Sequence, residues 1–293
     1  MHPERHMNIA AIQRLEQNAL AHLPGALPAL PAAGQSALGR IGSLTARLAR
    51  TKDEVRAAQE LRWRVFFADM PKGFISCEED RFDGHCDHLL VFDQSNLPAQ
   101  QGRIVGTYRL LRQDKAGLAG GYCSQAEFDV QSLMARHPRR RFLELGRSCV
   151  LPEYRSKRTA ELLWQGIWAY CRKHAIDVMF GCASFPGTLP ARHALPLSLL
   201  FQHARAEGAW AVAPVSATAV SMDLVPAEAV NPKRALAAMP PLIKGYLRLG
   251  AKFSGHAVVD SHFGTTDVLV VLRTEDIAAR YLSHYGQEAG RFV

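Results

Sequence analysis

Residues Glu144–Leu163 read ELGRSCVLPEYRSKRTAELL and set a cationic turn between a strand-like run and a helix-like run. The turn is Arg155-Ser156-Lys157-Arg158-Thr159, followed by Ala160. A helix's first turn exposes unpaired backbone N–H groups and the positive end of the macrodipole, which together suit a phosphate. Cationic side chains at the same point strengthen that chemistry, although a basic loop is also compatible with a merely solvated surface. Carboxylates stand upstream: Glu144 in the strand, and Asp80 and Asp83 in the acidic stretch Glu78–Asp83. Arg62, Arg64, Arg109 and Arg147 offer guanidinium forks to acidic groups. Cys77, His85, Cys86 and His88 match no standard structural zinc spacing, so no metal is expected. No G-x-S-x-G elbow occurs, and Ser148 and Cys149 fall inside a strand, which argues against a covalent acyl-enzyme.

The elements that must position these residues follow from periodicity. Leu44, Ala46 and Leu48 alternate with Thr45 and Arg47, predicting a half-buried strand. Thr51-x-x-Glu54 is a capping box, and Val55, Ala58, Leu61, Arg62, Val65 and Phe66 predict a helix to about Ala68, ended by Met70-Pro71-Lys72-Gly73. Strands are predicted at His88–Asp93, Arg103–Leu111, Phe142–Val150, Asp177–Phe185 and Val268–Leu272. Helices are predicted near Gln131–Arg136, Thr159–Lys173, Leu195–Glu207, Leu242–Lys252 and Glu275–Tyr285. The rest of 113–140 reads as irregular, and 210–235 has no clear pattern. This alternation predicts an α/β (α+β) domain over 42–293 with a central mixed sheet flanked by helices.

Arg155-x-x-Arg158-x-Ala160 resembles the Q/R-x-x-G-x-G/A phosphopantetheine loop of GNAT acyltransferases, with Arg158 where the first glycine stands. Leu61–Phe66 (LRWRVF), Glu79–Asp83 (EDRFD), Gly106–Leu111 (GTYRLL) and Glu144–Arg147 (ELGR) follow in the order seen in acyl-homoserine-lactone synthases. The series resembles the ornithine-lipid N-acyltransferases more closely, over about Gly42 to Gly286. Phe142–Val150 (FLELGRSCV), Leu242–Gly250 (LIKGYLRLG) and Phe263–Val268 (FGTTDV) carry that likeness.

The resemblance implies a GNAT-like fold and transfer of a 3-hydroxyacyl group from acyl carrier protein to the α-amine of ornithine. No permanently bound cofactor is implied, since the donor is the carrier's acyl-phosphopantetheine. Arg155, Ser156, Lys157, Arg158, Thr159 and Ala160 are then the donor contacts. A carrier presents one phosphodiester, which tolerates the bulk of Arg158 better than a coenzyme A pyrophosphate would. For amide formation Glu144 is the first candidate base, its alternative being an ion pair with Arg147 or Arg109. Asp80 and Asp83 belong to a loop that in these families shapes the amine pocket, and acidic groups suit ornithine's two ammonium groups. Arg109 and Arg147 suit the acceptor's carboxylate, while Arg62 and Arg64 would hold the acidic loop or meet the carrier. Trp63, Phe66 and Phe67 fit an acyl pocket or plain core, and Ser184 is placed to bond the pantetheine arm. Competing readings are an autoinducer synthase, an enzyme for glycine, glutamine or lysine, and a non-catalytic carrier-binding module.

The 293 residues carry a formal charge of +8 with 48% hydrophobic and 21% charged residues, an ordinary globular composition with a basic bias. That bias favours acidic partners such as a carrier protein or an anionic lipid surface; no aromatic-plus-basic motif supports nucleic acid. Six cysteines without a CxxC pair suit a reducing, cytoplasmic compartment. Pro24, Pro28 and Pro31 interrupt the uncharged stretch Leu20–Gly39, so residues 1–41 read as an arm rather than a membrane span. Lys244, Arg248 and Lys252, spaced by four among Leu, Ile and Tyr, suggest a basic amphipathic helix able to rest on an inner-membrane surface.

Overall fold

The computed structural model describes residues 37–67, 77–95 and 102–277. The first half holds β1 (Ala37–Ile41), β2 (Leu44–Leu48), α1 (Lys52–Phe66), β3 (Asp87–Asp93), β4 (Arg103–Arg112), α2 (Gln113–Ala116), α3 (Val130–Arg136) and β5 (Phe142–Val150). The second holds α4 (Lys157–Lys173), β6 (Val178–Pro186), α5 (Ala194–Ala204), β7 (Ala219–Ser221), α6 (Pro232–Ala238), α7 (Pro241–Leu249), β8 (Lys252–Asp260) and β9 (Thr265–Arg273). The strands form one sheet in the order β1-β2-β3-β4-β5-β6-β9-β8-β7. Every neighbouring pair is antiparallel except β5–β6, so the sheet is mixed as expected.

Period-two alternation divides the sheet into two apolar faces. On one face Leu89 and Val91 of β3 share a core with Leu162, Ile167 and Tyr170 of α4 and with Ile243 and Tyr246 of α7. Leu90 and Phe92 face the other way, against Ala58 of α1. Further along that second face, Phe142 of β5 and Phe180 of β6 pack with Phe82, Phe128 and Leu133.

The β5–β6 junction positions the site. Their parallel ladder covers only Phe142↔Val178, Leu143↔Met179 and Glu144↔Phe180. Gly181 then passes so close to β5 that a Cβ would lie 2.1 Å from the Leu145 carbonyl oxygen, and its φ is +155°; only glycine fits. Beyond that contact β5 stays paired to β4 through Val150, and β6 stays paired to β9 through Pro186. The two strands no longer pair with each other, which leaves a wedge between them.

Several boundaries differ from the sequence reading. β1 occupies Ala37–Ile41, inside the stretch that reads as an arm in the sequence, and turns back through Gly42 (φ +61°) to pair with β2. Ser156 caps α4 in place of a start at Thr159. α7 ends at Leu249, where Gly250 adopts φ +97°, so Lys252 opens β8 instead of extending a helix. The apolar side of α7 is core: Ile243, Tyr246 and Leu249 are buried, and the Tyr246 ring meets Trp164 edge-on at 5.3 Å. That packing removes the face a membrane-surface helix would need. The unassigned 210–235 region supplies β7 and most of α6. The Met70–Gly73 stop, residues 1–36 of the arm, and the final helix beyond Ile277 lie outside the described residues; Thr274–Asp276 forms a single 3₁₀ turn. Among the described residues no helix is long and apolar enough to cross a membrane.

Candidate active site

Arg62 sits on the buried side of α1 with no solvent exposure, a position an arginine holds only when fully paired. Its Nη1 and Nη2 donate to Asp83 Oδ1 and Oδ2 at 2.9 and 2.6 Å, and its Nε lies 2.6 Å from Glu78 Oε2. Arg109 on β4 donates from Nη1 to Asp80 Oδ1 at 2.6 Å and to Asp83 Oδ1 at 3.1 Å. Arg147 on β5 donates from Nε to Glu78 Oε1 at 2.9 Å and from Nη2 to Asp80 Oδ2 at 3.2 Å. Three arginines and three carboxylates thus neutralise one another under the sheet's second face. Burial alone would raise the Asp83 carboxyl, but bonding and charge from Arg62, with the Arg109 charge, hold it well below the usual carboxylate range.

A backbone irregularity aims Arg147 into this network. The β4–β5 register slips between Thr107↔Cys149 and Arg109↔Gly146, and Arg147 takes φ +52°. A bulge of this kind turns a side chain out of strict alternation. The Arg147 guanidinium lies 4.9 Å over the Phe263 ring, which also meets His262 at 4.8 Å, Phe67 at 5.5 Å and Phe66 at 5.9 Å. Among the described residues its Nη1 reaches only the Cys123 thiol, at 3.7 Å. Arg109 Nη2 is buried without a hydrogen-bond partner among the described residues.

Glu144 bonds to a neighbouring turn rather than to Arg109 or Arg147. Its Oε1 accepts from the Ser124 N–H at 2.8 Å and the Ser124 hydroxyl at 2.6 Å, and its Oε2 from the Cys123 N–H at 3.0 Å. The carboxylate caps the 3₁₀ turn Cys123–Ala126, and Arg109 and Arg147 bond elsewhere. Asp80 and Asp83 likewise spend their oxygens on the arginines and on their own loop, Asp80 Oδ1 also accepting from the Phe82 N–H at 2.9 Å. All three carboxylates expected to be catalytic are therefore held by donors of the protein itself. Arg62, expected to hold the acidic loop or meet the carrier, does the first: it is sealed inside against Glu78 and Asp83. Arg64 is exposed on the far side of α1, 3.8 Å from Glu60. Trp63 and Phe66 are half-buried. Cys77 donates its thiol to Gln59 Oε1 at 3.4 Å, and His88 Nε2 lies 3.1 Å from the Asp83 carbonyl oxygen. Both contacts tie Cys77 and His88 to the acidic loop and its surroundings.

On the donor side, the Ser156 hydroxyl accepts from the Thr159 N–H at 3.3 Å, and the buried Thr159 donates its hydroxyl to the Tyr154 carbonyl at 2.7 Å. Those two side chains build the turn. Arg155, Lys157, Arg158 and Ala160 remain exposed, with Arg155 Nε bonded to the Val150 carbonyl at 3.1 Å and Lys157 3.6 Å from Glu161. The result is a cationic helix start joined directly to the unpaired end of β5.

Sequence reasoning missed a second acidic group. Carboxylate oxygens of Glu127, Asp260 and Asp267 all lie within 4.8 Å of one another, close enough to share one cation, and no other His/Cys/Asp/Glu trio among the described residues does so. Glu127 Oε2 is 3.6 Å from the Cys182 thiol on β6. Ser184, expected to meet pantetheine, is opposite Asp267 across the β6–β9 ladder. Burial, then the charges of Asp267 and Asp260, push Glu127 up to about 7.

Residues 61–165 match the acetyltransferase (GNAT) domain family. The chain is 57% identical over 262 residues to the L-ornithine N(alpha)-acyltransferase of Brucella abortus (strain 2308), covering 87% of this chain and 93% of that protein. It is 55% identical over 271 residues to the protein of that name from Rhizobium meliloti (strain 1021), covering 90% and 91%. Among solved structures it is similar to FeeM, an N-acyl amino acid synthase from uncultured soil microbes, at 12% identity and a TM-score of 0.46 over 79% of this chain and 91% of that one. Identity at this level over nine-tenths of its relatives means that the chain, with its GNAT-like acyltransferase fold, belongs to the L-ornithine N(alpha)-acyltransferase family.

Proposed function

We propose that this chain joins a 3-hydroxy fatty acyl group, delivered as a thioester on acyl carrier protein, to the α-amine of ornithine, the first step of ornithine lipid synthesis. The observation that carries the reading is the wedge between β5 and β6. Its outer end meets the cationic start of α4, suited to a single phosphodiester, and its inner wall carries Arg147. A pantetheine arm anchored at Arg155, Lys157 and Arg158 would run its thioester along the unpaired edge of β5. An acidic carrier protein complements the chain's formal charge of +8.

The acceptor side suits an amino acid. Among the described residues Arg147 Nη1 bonds only to a thiol and Arg109 Nη2 to nothing, so both are guanidinium donors that an α-carboxylate can use. Phe66, Phe67 and Phe263 supply apolar wall for the acyl chain beside them. With the amine attacking the thioester carbon directly, the C–N bond forms as the C–S bond breaks, and no acyl-enzyme is needed. The exposed part of the molecule that would meet a cytoplasmic membrane surface is not α7, whose apolar side is core.

Lipid mass spectrometry after expression in a host lacking aminolipids tests this. The reading predicts a new 3-hydroxyacyl-ornithine species. A lactone formed from S-adenosylmethionine, or a lipid of another amino acid, would replace it with one of the competing readings.

A further inference from the structure

Glu127, Asp260 and Asp267 reach one place from three parts of the chain: the segment after the Cys123–Ala126 turn, the end of β8 and the start of β9. Asp260 is anchored there, its Oδ1 accepting the N–H groups of His262 and Phe263 at 2.7 and 3.1 Å. Asp267 is only 6% exposed, and among the described residues its Oδ1 has no hydrogen-bond donor. A buried, orphaned carboxylate oxygen facing two further carboxylates is unfavourable unless a cation or a proton joins it. The cluster also borders the wedge. Glu127 touches Cys182, the residue after Gly181 where β6 leaves β5, and the Arg147 charge on the opposite wall acts on both Glu127 and Asp267.

We infer that Glu127 and Asp267 receive the α-ammonium of the acceptor amino acid, and that Glu127 accepts the proton whose loss makes that amine a nucleophile. The inference rests on the proposed function and specifies its acceptor subsite. An α-amino acid carries its carboxylate and ammonium on one carbon, so a guanidinium and a carboxylate pair on facing walls of the wedge match both ends. The proton balance is simple. The ammonium gives one proton to Glu127, the free amine bonds to the thioester carbon, and the nitrogen's second proton leaves with the thiolate as carrier thiol. Glu127 then releases its proton to solvent.

The groups facing Glu127 are Asp260 from β8, Asp267 from β9, Cys182 from β6 and Arg147 from β5. Burial and the two aspartates outweigh Arg147 and the Cys182 contact, so its carboxyl titrates at about 7, near the optimum for a base working at neutral pH. Glu144 acts through it: by holding the N–H groups of Cys123 and Ser124 it fixes the turn that presents Glu127. Glu144 is thus a positioning residue.

The test uses the purified full chain with 3-hydroxyacyl carrier and ornithine. Wild-type kcat should fall as pH drops through about 7. Glu127→Gln should lose roughly 100-fold or more in kcat, lose that pH dependence, and leave KM for the acyl carrier unchanged. Glu127→Asp should recover part of the rate, which a purely structural role would not explain. Asp267→Asn should raise KM for ornithine about tenfold, the loss of roughly one charge-assisted contact. If wild type forms acyl-ornithine and Glu127→Gln matches its rate and pH profile, the inference falls while the function stands. Activity lost to a chelator and restored by a divalent metal would also overturn it, by making the cluster a metal site. A wild-type protein that acylates no ornithine at any pH overturns the functional reading itself.

Discussion

Asp83 receives both forks of a fully buried Arg62 together with Gln59 Nε2 at 3.0 Å, so its removal leaves a charge stranded in low dielectric. Asp83→Ala should destabilise the fold by about 3–5 kcal/mol, measured by chemical denaturation. The pH dependence has a definite sign. Asp83's folded pKa is depressed, so its contribution is fully present above the unfolded value of 3.8 and is lost as pH falls toward the lower folded one. Glu144→Ala should cost about 1–3 kcal/mol, because two N–H groups and a hydroxyl lose their acceptor together. Residue types alone showed where acidic and basic groups gather. They did not show which carboxylate is uncommitted, because that depends on partners distant in sequence. Glu144 is engaged by Cys123 and Ser124 from a segment without clear periodicity. Glu127 lies in that same segment, and its companions Asp260 and Asp267 are more than 130 residues further on.

At the scale of elements, the cationic start of α4 and the packing of α7 make separate claims. Arg158→Glu should raise KM for the acyl carrier about tenfold, equivalent to about 1.4 kcal/mol, and added salt should weaken carrier binding more in wild type than in the variant. Kinetics across a salt series read both. For α7, Ile243→Ala should cost about 2–5 kcal/mol of stability and leave co-sedimentation with anionic vesicles unchanged, as a core helix requires. Elements with a single strong pattern were legible. The strand Phe142–Val150 and the Thr51 cap, whose hydroxyl accepts from the Glu54 N–H at 3.2 Å, stand where the spacing put them. β8 was not legible, because its register slips between Phe253 and Ala257 around Gly255 and breaks the alternation. β1 was hidden because a proline-rich stretch precedes it and its pairing depends on the Gly42 turn.

Over the whole molecule, one mixed sheet brings three features to the junction of β5 and β6: a cationic helix start, a paired arginine floor and an acidic corner. The fold class was legible from the alternation of strands and helices, and the family from motifs spread in order along the chain. The wedge was not, since nothing in β5 or β6 alone says that their ladder stops after Glu144↔Phe180. The most direct test of the account is product analysis with purified protein, 3-hydroxyacyl carrier, the matching acyl-coenzyme A and ornithine. The account predicts acyl-ornithine modified on the α-nitrogen, with one carrier thiol released per amide and the carrier strongly preferred as donor. Acylation of the side-chain nitrogen, or equal use of coenzyme A thioester, would contradict it.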